Sequence, residues 1–322
     1  MLYLNTSDIQ QLPLQWSEVV SCIESAVQTM PATDYAQPVK PYLRYNNLTN
    51  RIIAMPAYVG GNIGFSGIKW IASFPDNTRQ GIPRAHSVTV LNEADTGIPC
   101  CIINSAVTSG IRTAGVSAFV LSKFLTYRQR SGLIAGITGF GPIGQLHLKM
   151  LLSLFGNNIS AVRIFDLKPI EEALLKEWPD GKVTQVSSWE EAYMDADVFI
   201  TCTVSSNRYI NKPPKKGSVH LNVSLRDYEP DFVHHADMII VDDWEEVCRE
   251  NTDIEKMHQD KQLQKQDTVN LGALLNNSVW SRLSDDAVVM FNPMGMAIFD
   301  VAVASYYYRR SIAESAGTLL NY

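Results

Sequence analysis

Between positions 136 and 144 the chain reads GITGFGPIG, and Gly139, Gly141 and Gly144 fit the spacing G-x-G-x-x-G. That spacing suits a strand that turns sharply into a helix and brings backbone N–H groups close to a pyrophosphate. A glycine turn without any nucleotide would use the same letters, so the flanks decide. An apolar strand, SGLIAGITGF, precedes the loop, and a helix over Pro142–Phe155 follows with Ile143, Leu146, Leu148, Met150 and Leu151 as its apolar residues. The next strand, AVRIFDL, ends in Asp166, 22 residues beyond Gly144. An acid about 20 residues on is where a ribose diol finds its acceptor. Gly139 permits the tight turn, Gly141 the approach of phosphate oxygens, and Gly144 the packing of helix on strand. Pro142 falls at the first helical position, where its missing N–H costs nothing. The helix N-terminus offers free N–H groups and partial positive charge. Asp166 favours NAD over NADP because a carboxylate repels a 2′-phosphate; Lys168, two residues on, works against that preference.

A second set of residues suits acidic substrates. Arg44, Lys69 and Arg112 are cations in segments otherwise apolar or small. A guanidinium can grip a carboxylate with two parallel hydrogen bonds. Lys69 lies inside SGIKWI, and a mid-strand lysine on an apolar sheet needs a partner. Each could instead be a surface or salt-bridging base. Asp227 follows the strand GSVHLNVS, at the end of a parallel strand where such sheets present groups to ligands; a turn or cap aspartate is the plainer reading. Arg84 and Arg226 could meet further carboxylates or lie on a solvated surface. His86, next to Arg84, could line the pocket, though a satisfied structural histidine is the plainer reading. Thr201 to Ser205 follow a strand and are expected at the cofactor.

These residues need a scaffold. The chain has 322 residues, enough for about two domains. It is 46% apolar and 19% charged, an ordinary globular balance. A net charge of -6 with no basic cluster argues against general nucleic-acid binding. The start, MLYLNTSDIQ, lacks the pattern of a secretory signal, and no apolar run is long enough to suggest a membrane span. Cys22, Cys100, Cys101, Cys202 and Cys248 are odd in number and form no C-x-x-C pair, so reduced thiols in a cytoplasmic protein are expected. Cys100-Cys101 and His234-His235 are adjacent pairs unsuited to a metal site, and no metal is expected.

The pattern predicts a short strand and a helix over 8–30, then β-rich segments at 51–59, 64–74, 86–92 and 97–105 in a mostly antiparallel sheet. A helix is expected over 105–125 and a boundary at 126–131. After it strands and helices alternate, with a helix at 169–178 and strands at 196–204, 217–224 and 236–243. That rhythm predicts a Rossmann-type, doubly wound parallel α/β domain over 126–291. Residues 1–125 and 292–322 are expected to form a β-rich α+β domain, with an apolar C-terminal helix packed back on it.

This order, together with YLR (Arg44), AMP (Met55, Pro56), SGIKW (Lys69), SGIRTAG (Arg112), TGFGPIG and TCTV (201–204), resembles the ornithine cyclodeaminase/μ-crystallin family over nearly the whole chain. QPVKPYLR, RIIAMP, SGIKWI, FITCTV, VDDW and NPMGMAI look closest to the branch that makes L-2,3-diaminopropionate for siderophores. The resemblance implies an NAD-dependent oxidation of a glutamate–diaminopropionate conjugate, N-(1-amino-1-carboxy-2-ethyl)-L-glutamate, followed by imine hydrolysis. It implies that Arg44 and Arg112 hold the α-carboxylate and that Lys69 sits at the reacting centre, with Met55 and, as one reading of it, Arg84 in the substrate site. Hydride leaves an amine only when its nitrogen has a free lone pair, so a base must take the proton; Asp227 is the candidate. On the cofactor side the resemblance implies Arg112, Thr113, Gly139, Phe140, Gly141, Pro142, Ile143, Gly144, Asp166, Thr201, Cys202, Thr203, Val204 and Ser224, with Asn292, Met294 and Gly295 over the nicotinamide. It implies a homodimer formed through the β-rich domain. The stretch LNVSLRDYEPDF keeps an acid at Asp227 but departs from the Asp-Cys-Pro-Gly-Lys of the cyclising enzymes, which speaks against ornithine cyclisation. A smaller-substrate imine reductase or amino-acid dehydrogenase and a crystallin-like nucleotide binder are the remaining readings.

Overall fold

Pro13 divides the first apolar stripe. β1 (Leu2–Asn5) is followed by two helices, α1 (Thr6–Gln11) and α2 (Trp16–Thr29), not by the single helix expected over 8–30. Proline donates no N–H and clashes with the preceding turn, so one helix cannot run through position 13. Asn5 starts α1: its side chain accepts from the Asp8 N–H while the Asp8 carboxylate accepts from the Asn5 N–H. The computed structural model describes residues 1–179 and 181–321, and the chain divides into two units, Met1–Val116 with Gly295–Tyr322, and Ser117–Met294.

In the first unit, β2 (Tyr35–Ala36), β3 (Tyr42–Leu43), β4 (Arg51–Val59), β5 (Phe65–Ser73), β6 (Ala85–Glu93) and β7 (Pro99–Asn104) build an antiparallel ladder, to which β1 adds in parallel beside β7. The register sets Met55, Lys69, Thr89, Ile103 and Leu4 in one row across five strands. All five are buried. The alternate row, Pro56, Ile68, Val90 and Ile102, points to the other face, as does Trp70 beside Ala54 and Val88. Trp70 is 44% exposed, so that second face is apolar and open. His86 is exposed in β6, not a satisfied core histidine, because it lies on this same open side near the end of the ladder.

Helix α3 (Val107–Arg128) is unbroken, and the division of the chain falls inside it, between Val116 and Ser117, not at the expected 125/126. The polar stretch after Leu125 does not break it: Arg128 belongs to the last turn and pairs with Asp285 at 3.0 Å. A cation there also suits the helix dipole.

The second unit is built on β8 (Leu133–Thr138), α4 (Pro142–Phe155), β9 (Ile159–Phe165), α5 (Glu172–Lys176), β10 (Val183–Gln185), α6 (Trp189–Tyr193), β11 (Val198–Thr201), β12 (Val219–Asn222), β13 (Met238–Val241), α7 (Trp244–Val247), α8 (Asp253–Lys261), β14 (Thr268–Asn270), α9 (Asn277–Trp280) and β15 (Val289–Asn292). Its sheet order is β10-β9-β8-β11-β12-β15-β13-β14, and every pairing is parallel. The α/β doubly wound class expected from the strand–helix rhythm is therefore present. The helix expected over 169–178 shortens to α5, since Pro169 and Pro179 bracket a weakly apolar, charged segment. β15 was hidden in the approach to the tail. It sits between β12 and β13, which moves the return to the first unit to Gly295.

That return is α10 (Ala297–Ala313), followed by β16 (Thr318–Leu319) on the edge of β1. α10 lies against α2, β4, β5 and β6 and is buried along most of its length. Burying each Ile, Val or Phe on it contributes about 1.5–3 kcal/mol, which is what holds the helix on the sheet.

Candidate functional site

Lys69 comes from the buried row of the first sheet and is 2% exposed. Its Nζ lies 2.8 Å from Asp300 Oδ1 on α10 and donates to Ser109 Oγ on α3 at 3.2 Å. Arg112, one helical turn beyond Ser109, donates from Nε to the same Asp300 oxygen at 2.8 Å. Asp300 thus receives two cations on one oxygen; its Oδ2 is buried and accepts no hydrogen bond among the described residues. Lys40 is also buried, at 3% exposure, and donates to the Gly295 carbonyl at 2.8 Å. Gly295 is required twice over: its φ is +91°, and a Cβ there would stand 2.8 Å from Arg112 Nη1.

Two buried cations, Lys69 and Arg112, therefore face the Asp300 carboxylate. Burial, and next the charge of Arg112, pull Lys69 down to about 7, while Asp300 works the other way. Burial alone would raise Asp300, but Arg112 and Lys69 outweigh it and hold the carboxyl below its usual range. The first turn of α10 adds partial positive charge beneath Asp300. A cluster with surplus positive charge and one open carboxylate oxygen suits an anionic ligand that also carries an N–H donor.

Met55 is the cross-strand neighbour of Lys69 and is buried beside it. Thr113 is half-buried and donates to the Ser109 carbonyl at 2.8 Å. Arg44 and Arg84 are placed differently. Arg44 is exposed in the polar loop after β3, donates to the Leu48 carbonyl at 3.1 Å and lies 5.5 Å from the Tyr42 ring centre. Arg84 donates from Nε to Ser73 Oγ at 3.3 Å, across the β5–β6 ladder.

In the second unit, the glycine loop has the shape its spacing predicts. Gly139 follows β8 with φ +83°, and a Cβ on it would meet the Cys202 backbone at 2.6 Å. A Cβ on Gly144 would stand 2.1 Å from the Gly139 carbonyl oxygen. A Cβ on Gly141 would meet nothing within 4 Å, so the space in front of the α4 N-terminus is open where a phosphate would approach. Gly141 is the N-cap and Pro142 the first helical residue, with Ile143 behind it. Asp166 Oδ2 accepts the Phe140 N–H at 2.6 Å and Oδ1 the Lys168 N–H at 2.9 Å. The acid is thereby tied to the glycine loop, in the place a ribose diol needs it. These residues fit a dinucleotide.

Asp227 lies five residues past β12, fully buried. Thr203 donates to its Oδ1 at 2.5 Å, and Ser224 donates to its Oδ2. Burial pushes the carboxyl up, and the hydroxyls of Ser224 and Thr203 pull against it. Ser224 also donates to Thr201, which donates to Asn222. Thr201, Thr203, Ser224 and Asp227 are thus one hydroxyl–carboxylate group, as expected of the strand ends. Cys202, half-buried between them, has its thiol pushed up by burial and is inert. Val204 is 72% exposed. Asn292 accepts from Asn222 at 2.8 Å, and the Met294 N–H donates to Asp242 at 3.0 Å. Arg226 spends its guanidinium on the Ser224 and Glu250 carbonyls.

Several residues here had no motif to announce them. Asp300 is a lone acid in the apolar run MAIFDVAVA, a signal as clear as the mid-strand lysine it pairs with. Lys40 stands in QPVKPYLR. Asp253, at the first turn of α8, has no motif around it either.

Residues 3–315 match the model of the ornithine cyclodeaminase/mu-crystallin family, and the chain belongs to that family. It is 34% identical to an N-((2S)-2-amino-2-carboxyethyl)-L-glutamate dehydrogenase of Staphylococcus aureus, over 100% of this chain and 98% of the relative. Its fold is shared with the Δ1-pyrroline-2-carboxylate reductase of Thermococcus litoralis, solved with NADH and L-proline, at a TM-score of 0.86, 21% identity and coverage of 99% and 100%. An archaeal alanine dehydrogenase dimer with bound NAD superposes at a TM-score of 0.80, with 22% identity and coverage of 100% and 99%.

Proposed function

We propose that this protein is an NAD-dependent oxidoreductase that oxidises N-((2S)-2-amino-2-carboxyethyl)-L-glutamate at the glutamate Cα, giving 2-oxoglutarate and L-2,3-diaminopropionate. The observation that carries the reading is the buried pair of cations, Lys69 and Arg112, held on one oxygen of Asp300. A substrate with three carboxylates brings the negative charge that this cluster lacks. The 34% identical Staphylococcus aureus dehydrogenase, named for that conjugate, supports the choice.

NAD, when bound, accepts a hydride at nicotinamide C4. The glycine loop and the α4 N-terminus would hold its pyrophosphate, and Asp166 its ribose. Arg112 and Lys69 bind and orient the carboxylates of the substrate. Asp227 takes the proton from the secondary amine, so that the nitrogen lone pair can form the C=N bond as hydride leaves Cα. Thr203 and Ser224 donate to both Asp227 oxygens and offset part of the upward push of burial on the carboxyl. After Asp227 gives that proton up to solvent, it takes one from the water that adds to the imine carbon and returns it to the nitrogen, so that collapse of the adduct releases diaminopropionate and leaves 2-oxoglutarate. L-2,3-Diaminopropionate for siderophore or related natural-product synthesis is the role this implies.

The open apolar sheet face around Ile68, Trp70, Val88 and Val90 supports a homodimer, as does the dimeric state of the archaeal alanine dehydrogenase. Among the described residues no helix is long and apolar enough to cross a membrane. Turnover with NAD should be compared for the conjugate, L-alanine and L-ornithine. The conjugate should be used best, and a preference for L-alanine would replace this reading with that of a simple amino-acid dehydrogenase.

A further inference from the structure

Asp253 opens α8 and is fully buried, yet no step above uses it. Its Oδ2 accepts three hydrogen bonds: from the backbone N–H of Asp227 at 3.0 Å, from that of Tyr228 at 3.1 Å, and from Asn222 Nδ2 at 3.0 Å. Its Oδ1 accepts Arg208 Nε at 2.7 Å. Its own N–H donates to the Leu225 carbonyl at 2.8 Å. Asp253 therefore grips the 222–228 loop from both directions, at the residue before the turn and at the candidate base itself.

The loop needs such a grip. Leu225 holds a φ of +63°, a left-handed conformation that costs a branched residue about 1 kcal/mol or more. Asn222 fixes the entry to the turn, accepting the Leu225 N–H at 3.1 Å and the Thr201 hydroxyl at 3.0 Å, and donating to Asp253 and Asn292. Tyr228 fixes the exit: it is fully buried, and its hydroxyl lies 2.9 Å from His220 Nδ1. Between these anchors, the direction in which the Asp227 side chain leaves the backbone is set by its N–H, and that N–H is held by Asp253. Leaving four donors on a buried carboxylate intact is also what makes it costly to move.

We propose that Asp253 is a positioning residue for the reaction: through the Asp227 N–H it aims the Asp227 carboxylate at the substrate nitrogen. This rests on the reading of Asp227 as the base. The carboxylate itself is not expected to touch substrate or NAD. Burial raises Asp253 to about 6, consistent with an anion that persists at neutral pH only because its four donors hold it.

The experiment is a double-mutant cycle on the full chain with Asp253→Asn, Asp227→Asn and both together, following kcat, KM for substrate, KM for NAD and thermal stability. Asn at 253 keeps the size of the side chain but offers the loop N–H groups only a neutral, weaker acceptor and turns an NH2 toward the Arg208 donor, so the hold on the Asp227 N–H is loosened, and thermal stability is followed to separate that from a loss of fold. Asp253→Asn should lower kcat by roughly tenfold to a hundredfold, the scale of a misplaced catalytic group, with both KM values within about twofold. In the Asp227→Asn background it should cost no further turnover, because the group it aims is gone. Asp253→Glu, which keeps the charge but reaches further, should lie between. Equal losses in both backgrounds, or an unchanged kcat with only lower thermal stability, would make Asp253 a structural anchor and overturn the inference. Normal turnover in Asp227→Asn alone would overturn the base reading itself, and the inference with it.

Discussion

Asp300 stands 231 residues from Lys69 in the chain and 2.8 Å from it in the fold. The carboxylate also holds Arg112, so one acid separates two buried cations. Removing it leaves both uncompensated, which costs about 3–5 kcal/mol for a buried pair. Asp300→Asn should lose stability on that scale in urea unfolding, and saturating 2-oxoglutarate should restore part of it by supplying a replacement anion. A loss below about 1 kcal/mol would show the cluster to be more solvated than its burial indicates.

Lys69 gives the site a pH dependence. Its value in the folded protein is lowered from 10.5 to about 7, so in the free protein its ammonium fraction falls as pH rises through about 7. A bound carboxylate favours the ammonium. Binding of 2-oxoglutarate should therefore be tightest below about pH 7 and weaken above it, by up to about tenfold per pH unit while one proton is taken up. Titration calorimetry in buffers of different ionisation enthalpy reads that proton directly. Lys69→Arg, which stays charged, should remove the slope; a slope unchanged in that variant would assign it to another group.

Asp166 sets the choice of dinucleotide. Its carboxylate is oriented by the Phe140 and Lys168 N–H groups. Asp166→Ala removes a charged acceptor from the ribose diol and a repulsion from a 2′-phosphate, each worth about 1.5–3 kcal/mol. The KM ratio of NAD to NADP should rise by roughly tenfold or more. Any general damage to the loop affects both cofactors and cancels in the ratio, so an unchanged ratio would remove Asp166 from ribose recognition.

Trp70 addresses the dimer. It lies on the open sheet face, beside Ala54 and Val88. A buried tryptophan at an interface centre is commonly worth 2 kcal/mol or more, about thirtyfold in Kd. Trp70→Glu should shift the mass in sedimentation equilibrium from two chains to one. A persistent dimer would place the interface elsewhere.

Much of this is legible in the sequence. Helix Pro142–Phe155 and strand Arg51–Val59 were readable because a Pro at the first turn marks the one and a β-rich apolar run bounded by Asn50 and Gly60 the other. The glycine loop and Asp166 were readable because their chemistry demands fixed spacing. Asp300 and Asp253 were not, because their partners lie far off in sequence, and a buried acid looks like any other until the cations facing it are known. Arg44 is the converse: a cation in a suggestive segment that the structure sets in an exposed loop. β15 escaped because three apolar residues and Asn292 before a Pro-Met-Gly turn carry no period of their own.

The account is tested most directly by product stoichiometry. The purified protein, NAD and N-((2S)-2-amino-2-carboxyethyl)-L-glutamate are incubated together, and NADH, 2-oxoglutarate and L-2,3-diaminopropionate are quantified over time. Equal molar appearance of all three is expected, with none formed by Asp227→Asn above its residual rate. No NADH from this conjugate, with proline and ammonia formed from L-ornithine instead, would contradict it.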